Sequence, residues 1–133
     1  MAVPLTEKII GAAIEVHRIL GPGLLESVYE EALCYEFDLR GIRYHRQAPV
    51  EMHYKDKAIK DQRIDLIVED EGDRAVVDLK SVSKLPEIAT AQVLSYLKAT
   101  RLKRGLVINF GRNVLSTVFV DYLCDLCDLC DLC

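Results

Sequence analysis

One stretch constrains the folding of this chain more than any other. It runs Arg63-Ile64-Asp65-Leu66-Ile67-Val68, then Asp70-Glu71-Gly72-Asp73, then Val76-Val77-Asp78-Leu79-Lys80. Aliphatic and β-branched residues on either side of a turn rich in aspartate and glycine read as a β-hairpin. If the hairpin is symmetric about Glu71 and Gly72, Asp65 lies directly across from Asp78. Side chains alternate faces along a strand, so Lys80 shares the face of Asp78, while Leu66, Val68, Val77 and Leu79 fill the other. Like charges placed opposite one another are destabilising, and two adjacent carboxylates resist joint ionisation. A hard divalent cation held by carboxylate oxygens relieves both problems, and a lysine beside it can orient a nucleophilic water or neutralise charge developing on a phosphate. A one-residue bulge would break this alignment. The competing reading is a surface ion pair of Asp65 with Lys80 or Arg63, which is worth little either way.

The rest of the chain surrounds that hairpin with helices and further strands. Thr6 to Leu20 carries Ile9, Ile10, Ala13, Val16, His17 and Leu20 on one helical face, with Thr6 as a candidate cap and Gly21-Pro22-Gly23 as its stop. Leu24 to Arg40 reads as a second helix ended by Gly41, with Leu25, Val28, Ala32, Tyr35 and Leu39 as its expected buried stripe. Glu26, Tyr29, Leu33 and Phe37 share a neighbouring flank, along which Glu26 is expected to point toward the sheet. Ile42 to Tyr54 then changes to strand character, with Pro49 marking a bulge or an edge. Pro86 to Arg101 is helical again, with Ile88, Ala91, Leu94 or Ser95, and Leu97 as its expected stripe. Leu106 to Phe110 and Val114 to Tyr122 are the last two strands. The order ααβββαββ predicts an α/β (α+β) fold, a mixed sheet with helices packed on it, and one domain over residues 1–123. Residues 124–133 form a separate Cys-Asp-Leu repeat tail.

Composition narrows the functional classes. Of 133 residues, 50% are hydrophobic, too many for an intrinsically disordered chain. No apolar run approaches the roughly 20 residues needed to cross a bilayer, and the start lacks a basic region followed by an apolar stretch. Five cysteines, four of them bunched at the end, do not form a secreted disulfide pattern. A cytoplasmic protein with no membrane partner is expected. The net charge is -4, and three of the acids sit in the tail, so the body is close to neutral. That excludes a coat protein relying on a broad basic field, but not an enzyme with a local basic groove.

Gly23-Leu24-Leu25-Glu26-Ser27-Val28-Tyr29 fits the motif that names the GxxExxY proteins. The chain also shares with them His17 to Gly23, Asp65-Leu66-Ile67-Val68, Asp78-Leu79-Lys80, Ala91 to Leu97 and Gly105 to Phe110, in that order. It therefore resembles a family of small bacterial and archaeal proteins placed in the PD-(D/E)XK nuclease-like superfamily. The resemblance implies a restriction-endonuclease-like core in which Asp65 and Asp78 bind Mg²⁺ or Mn²⁺ and Lys80 assists catalysis. It also implies that Glu26 supplies an additional acidic position and metal ligand, and that Gln92 stands close to the site. Two positions depart from the usual pattern: Ile64 precedes the first acid where a proline is typical, and the second acid is Asp78 where glutamate is commoner.

Other residues invite a functional and an ordinary reading together. An acid such as Glu26 in a first helical turn also suits the helix dipole. His17, on an apolar face, is expected to be a core residue bonded to a backbone carbonyl. Gln92 and Tyr96 are i, i+4 neighbours and form either a polar edge or a contact to water and phosphate. Arg40, Arg43 and Arg46, and likewise Arg101, Lys103 and Arg104, are either solvated faces or phosphate tracks. Cys124, Cys127, Cys130 and Cys133 could ligate zinc or, with Cys34, an iron–sulfur cluster; the other reading is a low-complexity extension without function. The leading expectation is a metal-dependent nuclease acting on DNA or RNA. The alternative is a catalytically weak or inactive nuclease-fold interaction module, for which a homodimer is one arrangement.

Overall fold

The computed structural model of the chain describes residues 3–122. Two helices, α1 (Leu5–Leu20) and α2 (Glu26–Arg40), precede three strands, β1 (Arg43–Tyr54), β2 (Lys57–Asp70) and β3 (Asp73–Lys80). Helix α3 (Ile88–Thr100) then leads to β4 (Arg104–Asn109) and β5 (Ser116–Asp121). The order is the expected ααβββαββ. All five strands form one sheet in sequence order, antiparallel except for the parallel β3–β4 pair that α3 connects. β1 is an edge strand, and its register slips between Val50 and Met52, just after Pro49, where a proline removes a donor that a central strand would need.

The sheet separates two apolar layers. On one face, Leu66, Val68, Val77, Leu79, Leu106, Ile108 and Phe110 pack against α1 and α2. On the other, Ile67, Val76 and Val107 pack against Ala89, Val93, Tyr96 and Leu97 of α3. The alternation read from the hairpin therefore holds. No helix among the described residues is long and apolar enough to cross a membrane.

Three local expectations are corrected. Helix α1 starts at Leu5, ahead of Thr6, and no side chain caps it. In α2 the buried row is Tyr29, Leu33 and Phe37, with Glu30 and Cys34, whereas Leu25, Val28, Tyr35 and Leu39 face solvent. The cause is a polar anchor. Glu30 accepts from Arg46 Nη2 at 3.0 Å and from Gln47 Nε2 at 2.7 Å, which turns the helix so that its other apolar row meets the sheet. In α3, Tyr96 is buried while Ile88 is 72% exposed, because the helix leans its Val93–Tyr96–Leu97 side onto the strands.

β4 ends in a clamp that fixes the strand beside it. The buried Asn109 accepts from the Val82 amide at 3.1 Å and from the Gly111 amide at 2.9 Å, and donates to the Val82 carbonyl at 3.0 Å. A Cβ at Gly111 would lie 2.3 Å from the Val82 nitrogen, so backbone rather than a yielding side chain blocks it. Gly111→Ala is expected to destabilise the fold by about 1–3 kcal/mol in urea unfolding, in the range of overpacked interiors. A substitution tolerated without loss would mean that this approach of the two segments is not needed.

Candidate functional site

β2 and β3 pair in the register expected from symmetry about the turn, Asp70 opposite Asp73 and Leu66 opposite Val77. The ladder ends there, one step short of Asp65 and Asp78. Instead of a β2 carbonyl, Asp65 Oδ2 accepts the Leu79 amide, at 2.8 Å. The carboxylate thus replaces a ladder hydrogen bond where the strands part.

Asp78 is buried on the α3 face, the face of its β4 partner Val107. Lys80, two residues on and half-buried, brings Nζ to 3.3 Å from Asp78 Oδ2. The ion pair is not aligned as a hydrogen bond, so this solvent-shielded oxygen accepts none. A buried polar atom left without a partner costs roughly 1–3 kcal/mol. Burial, opposed by the Lys80 charge and reinforced by the Asp65 carboxylate, pushes the Asp78 carboxyl up from 3.8 to about 6.

Helix α3 closes the site from above. The Tyr96 phenol is pushed up by burial and then by the negative charges of Asp78 and Asp65, while a hydrogen bond with Gln92 acts the other way. The electrostatic link ties Gln92 and Tyr96 to the two aspartates. A cleft of about 330 Å³ opens beside them, lined by Gln62, Ile88, Ala91, Gln92 and Ser95. Tyr96 is more deeply engaged than its place on an expected polar edge implied. Asn109, which steadies the chain just after Lys80, was not singled out at all; its one signal is a polar residue closing the apolar run Leu106-Val107-Ile108.

Glu26 sits elsewhere. It opens α2, is exposed rather than directed along the buried flank, and lines a shallow pocket with Gly23, Leu24, Leu25, Ser27 and Ser81. The expectation of a buried Glu26 is thereby corrected: it shares the flank of Tyr29, Leu33 and Phe37, but as the first residue of α2 it lies where that buried row runs out into solvent. The rest of the motif has clear local tasks. Gly23 takes φ +86°, a conformation side chains disfavour. The Tyr29 hydroxyl donates to the Gly21 carbonyl at 2.6 Å and accepts from the Leu24 amide at 3.0 Å, while its ring stacks on Phe110 at 4.4 Å. Ser81 Oγ donates to the Leu24 carbonyl, joining this turn to the residue after Lys80.

The donor set fits a hard cation. An orphaned, buried carboxylate oxygen beside a second carboxylate is an all-oxygen site of the kind Mg²⁺ and Mn²⁺ accept. No three His, Cys, Asp or Glu side chains among the described residues converge tightly enough to enclose an ion. Asp65 and Asp78 are therefore the residues available to hold one, with water completing the shell, as Mg²⁺ prefers.

His17 and Cys34 have structural roles. His17 Nε2 lies 2.8 Å from the Arg112 carbonyl, as expected of a core histidine. Cys34 is packed in the core, where burial pushes its thiol up to about 11, far from the thiolate a metal would bind. The four tail cysteines lie outside the described residues.

A mixed five-stranded sheet with two helices on one face and one on the other is the fold in which these residues sit. Residues 3–119 match the family model of the PD-(D/E)XK nuclease superfamily, and the chain belongs to that superfamily. No curated protein sequence matches it. Among solved structures, the crystal structure of SSO0001 is similar with a TM-score of 0.46 and 17% identity, over 85% of this chain and 66% of that one. This chain thus spans just under two thirds of that protein's length.

The Asp78 shift has a definite sign. Its folded value exceeds the unfolded 3.8, so the folded state holds the extra proton between about pH 4 and pH 6. The penalty of its charge is absent below that window and complete above it. Metal-free Asp78→Asn is expected to exceed wild type in stability at pH 7 by on the order of 1–3 kcal/mol, at about 1.4 kcal/mol per unit. Urea unfolding across pH should show the gap closing near pH 4; a less stable variant at pH 7 would contradict the burial argument.

Proposed function

We propose that the chain is a metal-dependent nuclease of the GxxExxY type, hydrolysing phosphodiester bonds in DNA or RNA. The observation that carries this reading is Asp78 Oδ2, buried without a hydrogen-bond donor beside a second aspartate and 3.3 Å from Lys80. Lys80 balances the charge of that oxygen without an aligned hydrogen bond, which leaves it open to a cation. Mg²⁺ or Mn²⁺ on Asp65 and Asp78 would supply Lewis acidity toward a phosphate oxygen and acidify a bound water.

The protein's own share follows from its geometry. The Leu79 amide holds Asp65, so one carboxylate is oriented before anything binds. Lys80 neutralises Asp78 in the free protein. Its ammonium would orient the attacking water or meet charge developing on the phosphate. Gln92 borders the cleft as a contact for water or phosphate, and Tyr96, with its phenol held protonated, is available as a donor. Glu26 lies in a separate pocket beside Ser81, and Gly23 and Tyr29 hold the turn that carries it.

Cleavage of single- and double-stranded DNA and RNA should require Mg²⁺ or Mn²⁺ and be abolished by EDTA. Lys80→Ala is expected to lower the rate by about 10²–10³-fold, the cost of removing one stabilising group from such a centre. Equal residual cleavage by variant and wild type would end the enzymatic reading. Independently of turnover, the cation should stabilise wild type by about 2.7 kcal/mol at a hundredfold excess over its Kd, and Asp78→Ala should remove most of that shift in a thermal melt.

One observation favours a second reading. Leu25, Val28, Tyr35 and Leu39 form an outward apolar row along α2, suited to an interaction module that pairs as a homodimer. Light scattering that finds a dimer dispersed by Leu39→Glu, together with no cleavage under any metal, would support it over the nuclease.

A further inference from the structure

The sequence offers two basic clusters, and the fold treats them differently. In the first, each arginine has an acid: Arg40 pairs with Glu36, Arg43 with Glu69, and Arg46 with Glu30 and Glu31. In the second, Arg101, Lys103 and Arg104 have no acidic partner among the described residues. The turn that carries them is held in place: Arg101 adopts φ +62° at the end of α3, and the Lys103 carbonyl accepts the Tyr122 amide at 2.9 Å.

These three side chains line a cleft of about 300 Å³ together with Arg74 from the start of β3. Three acids stand nearby, one of them Asp121, opposite Arg104 in the β4–β5 ladder but not ion-paired with it. Asp73 shares the lining and accepts its neighbour's backbone amide, and Glu69 lies 3.8 Å from Arg74 Nε. Four cations from two separate segments thus face one acid within the cleft. A single cation would serve the negative end of the α3 dipole. The convergence of Arg74 on the same cleft exceeds that need.

The position of the cleft relates it to the carboxylates. Arg74 and Asp78 are separated by four residues of one strand, so they share a face, roughly 13 Å apart at about 3.3 Å per residue. Along α3, nine residues from Gln92 to Arg101 cover about the same distance at 1.5 Å each. Arg74 and Arg101 therefore lie on the α3 side of the sheet with the aspartates, roughly 13 Å away, while Arg104, one residue before the α3-facing Gly105, joins the cleft at the start of β4.

We infer that this cleft is a phosphate-backbone site that anchors a nucleic-acid strand on its way to the carboxylates. The inference rests on the nuclease reading for the identity of its ligand. Guanidinium groups suit phosphate because they donate in a planar fork, and unpaired cations gain most from releasing the counterions of a polyanion.

The test is fluorescence anisotropy of labelled single- and double-stranded oligonucleotides in EDTA, where nothing is cut. Wild type is compared across salt concentrations with Arg101→Ala/Arg104→Ala and with Arg43→Ala from the neutralised cluster. The double variant should lose about tenfold or more in affinity, and its log–log salt dependence should be shallower by about 2, one for each cation removed. Arg43→Ala should stay within about twofold of wild type, and all three proteins should melt alike. Unchanged affinity and salt slope in the double variant would overturn the site, as would an equal loss in Arg43→Ala. The two readings fail separately. Wild-type binding by the double variant, with cleavage still lost in Lys80→Ala, removes the cleft and keeps the nuclease. Arginine-dependent binding without metal-dependent cleavage keeps the cleft and removes the nuclease.

Discussion

Everything around the site depends on one substitution of partners, a side-chain carboxylate where a backbone carbonyl would normally stand. Asp65 accepts the Leu79 amide at the point where β2 and β3 stop pairing. A continued ladder would leave no opening between the strands, and an opening without a substitute acceptor would leave a buried amide unsatisfied, which proteins rarely tolerate. By doing the acceptor's work, Asp65 lets the sheet part without that cost. It also holds its own charge close to Asp78, where burial already disfavours ionisation. The cost of the arrangement then falls on Asp78 Oδ2, which has Lys80 as an ion-pair partner but no aligned hydrogen bond.

A second layer of contacts keeps the open end rigid. Asn109 ties β4 to the chain after β3, the Phe110 amide donates to the Lys80 carbonyl at 2.8 Å, and Ser81 reaches across to the turn before α2. Tyr29 links the same turn to Phe110 by stacking. The glycine and tyrosine of the Gly23–Tyr29 motif therefore act on backbone geometry. Its glutamate is carried by the turn they stabilise. A motif that looks like a single catalytic signature divides into two structural residues and one exposed acid.

The limits of sequence reading show most clearly in α2. Two apolar rows run side by side on that helix, and periodicity alone cannot rank them, because each is a valid 3.6-residue stripe. The choice falls to Glu30, which finds its partners Arg46 and Gln47 only when β1 is in place. Glu26 shares the row that is buried, yet it is exposed because it stands at the first position of the helix. The two basic clusters were equally indistinguishable, since pairing depends on acids distant in the chain, such as Glu69 for Arg43. The hairpin was more legible, because alternation and the turn specify register locally; what they could not convey was that the ladder stops one step before the two aspartates.

By itself, then, the sequence determined the order of elements, the faces of the central hairpin and the company of Asp65, Asp78 and Lys80, all set by period-two or period-3.6 patterning and by turn residues acting over a few positions. Tertiary structure alone decided which row of α2 is buried, that Glu26 faces solvent, that Tyr96 is drawn in beside the carboxylates, and which cations go unpaired. Those outcomes depend on contacts between segments far apart in the chain, where desolvation and charge pairing take effect only once the sheet and its helices have come together.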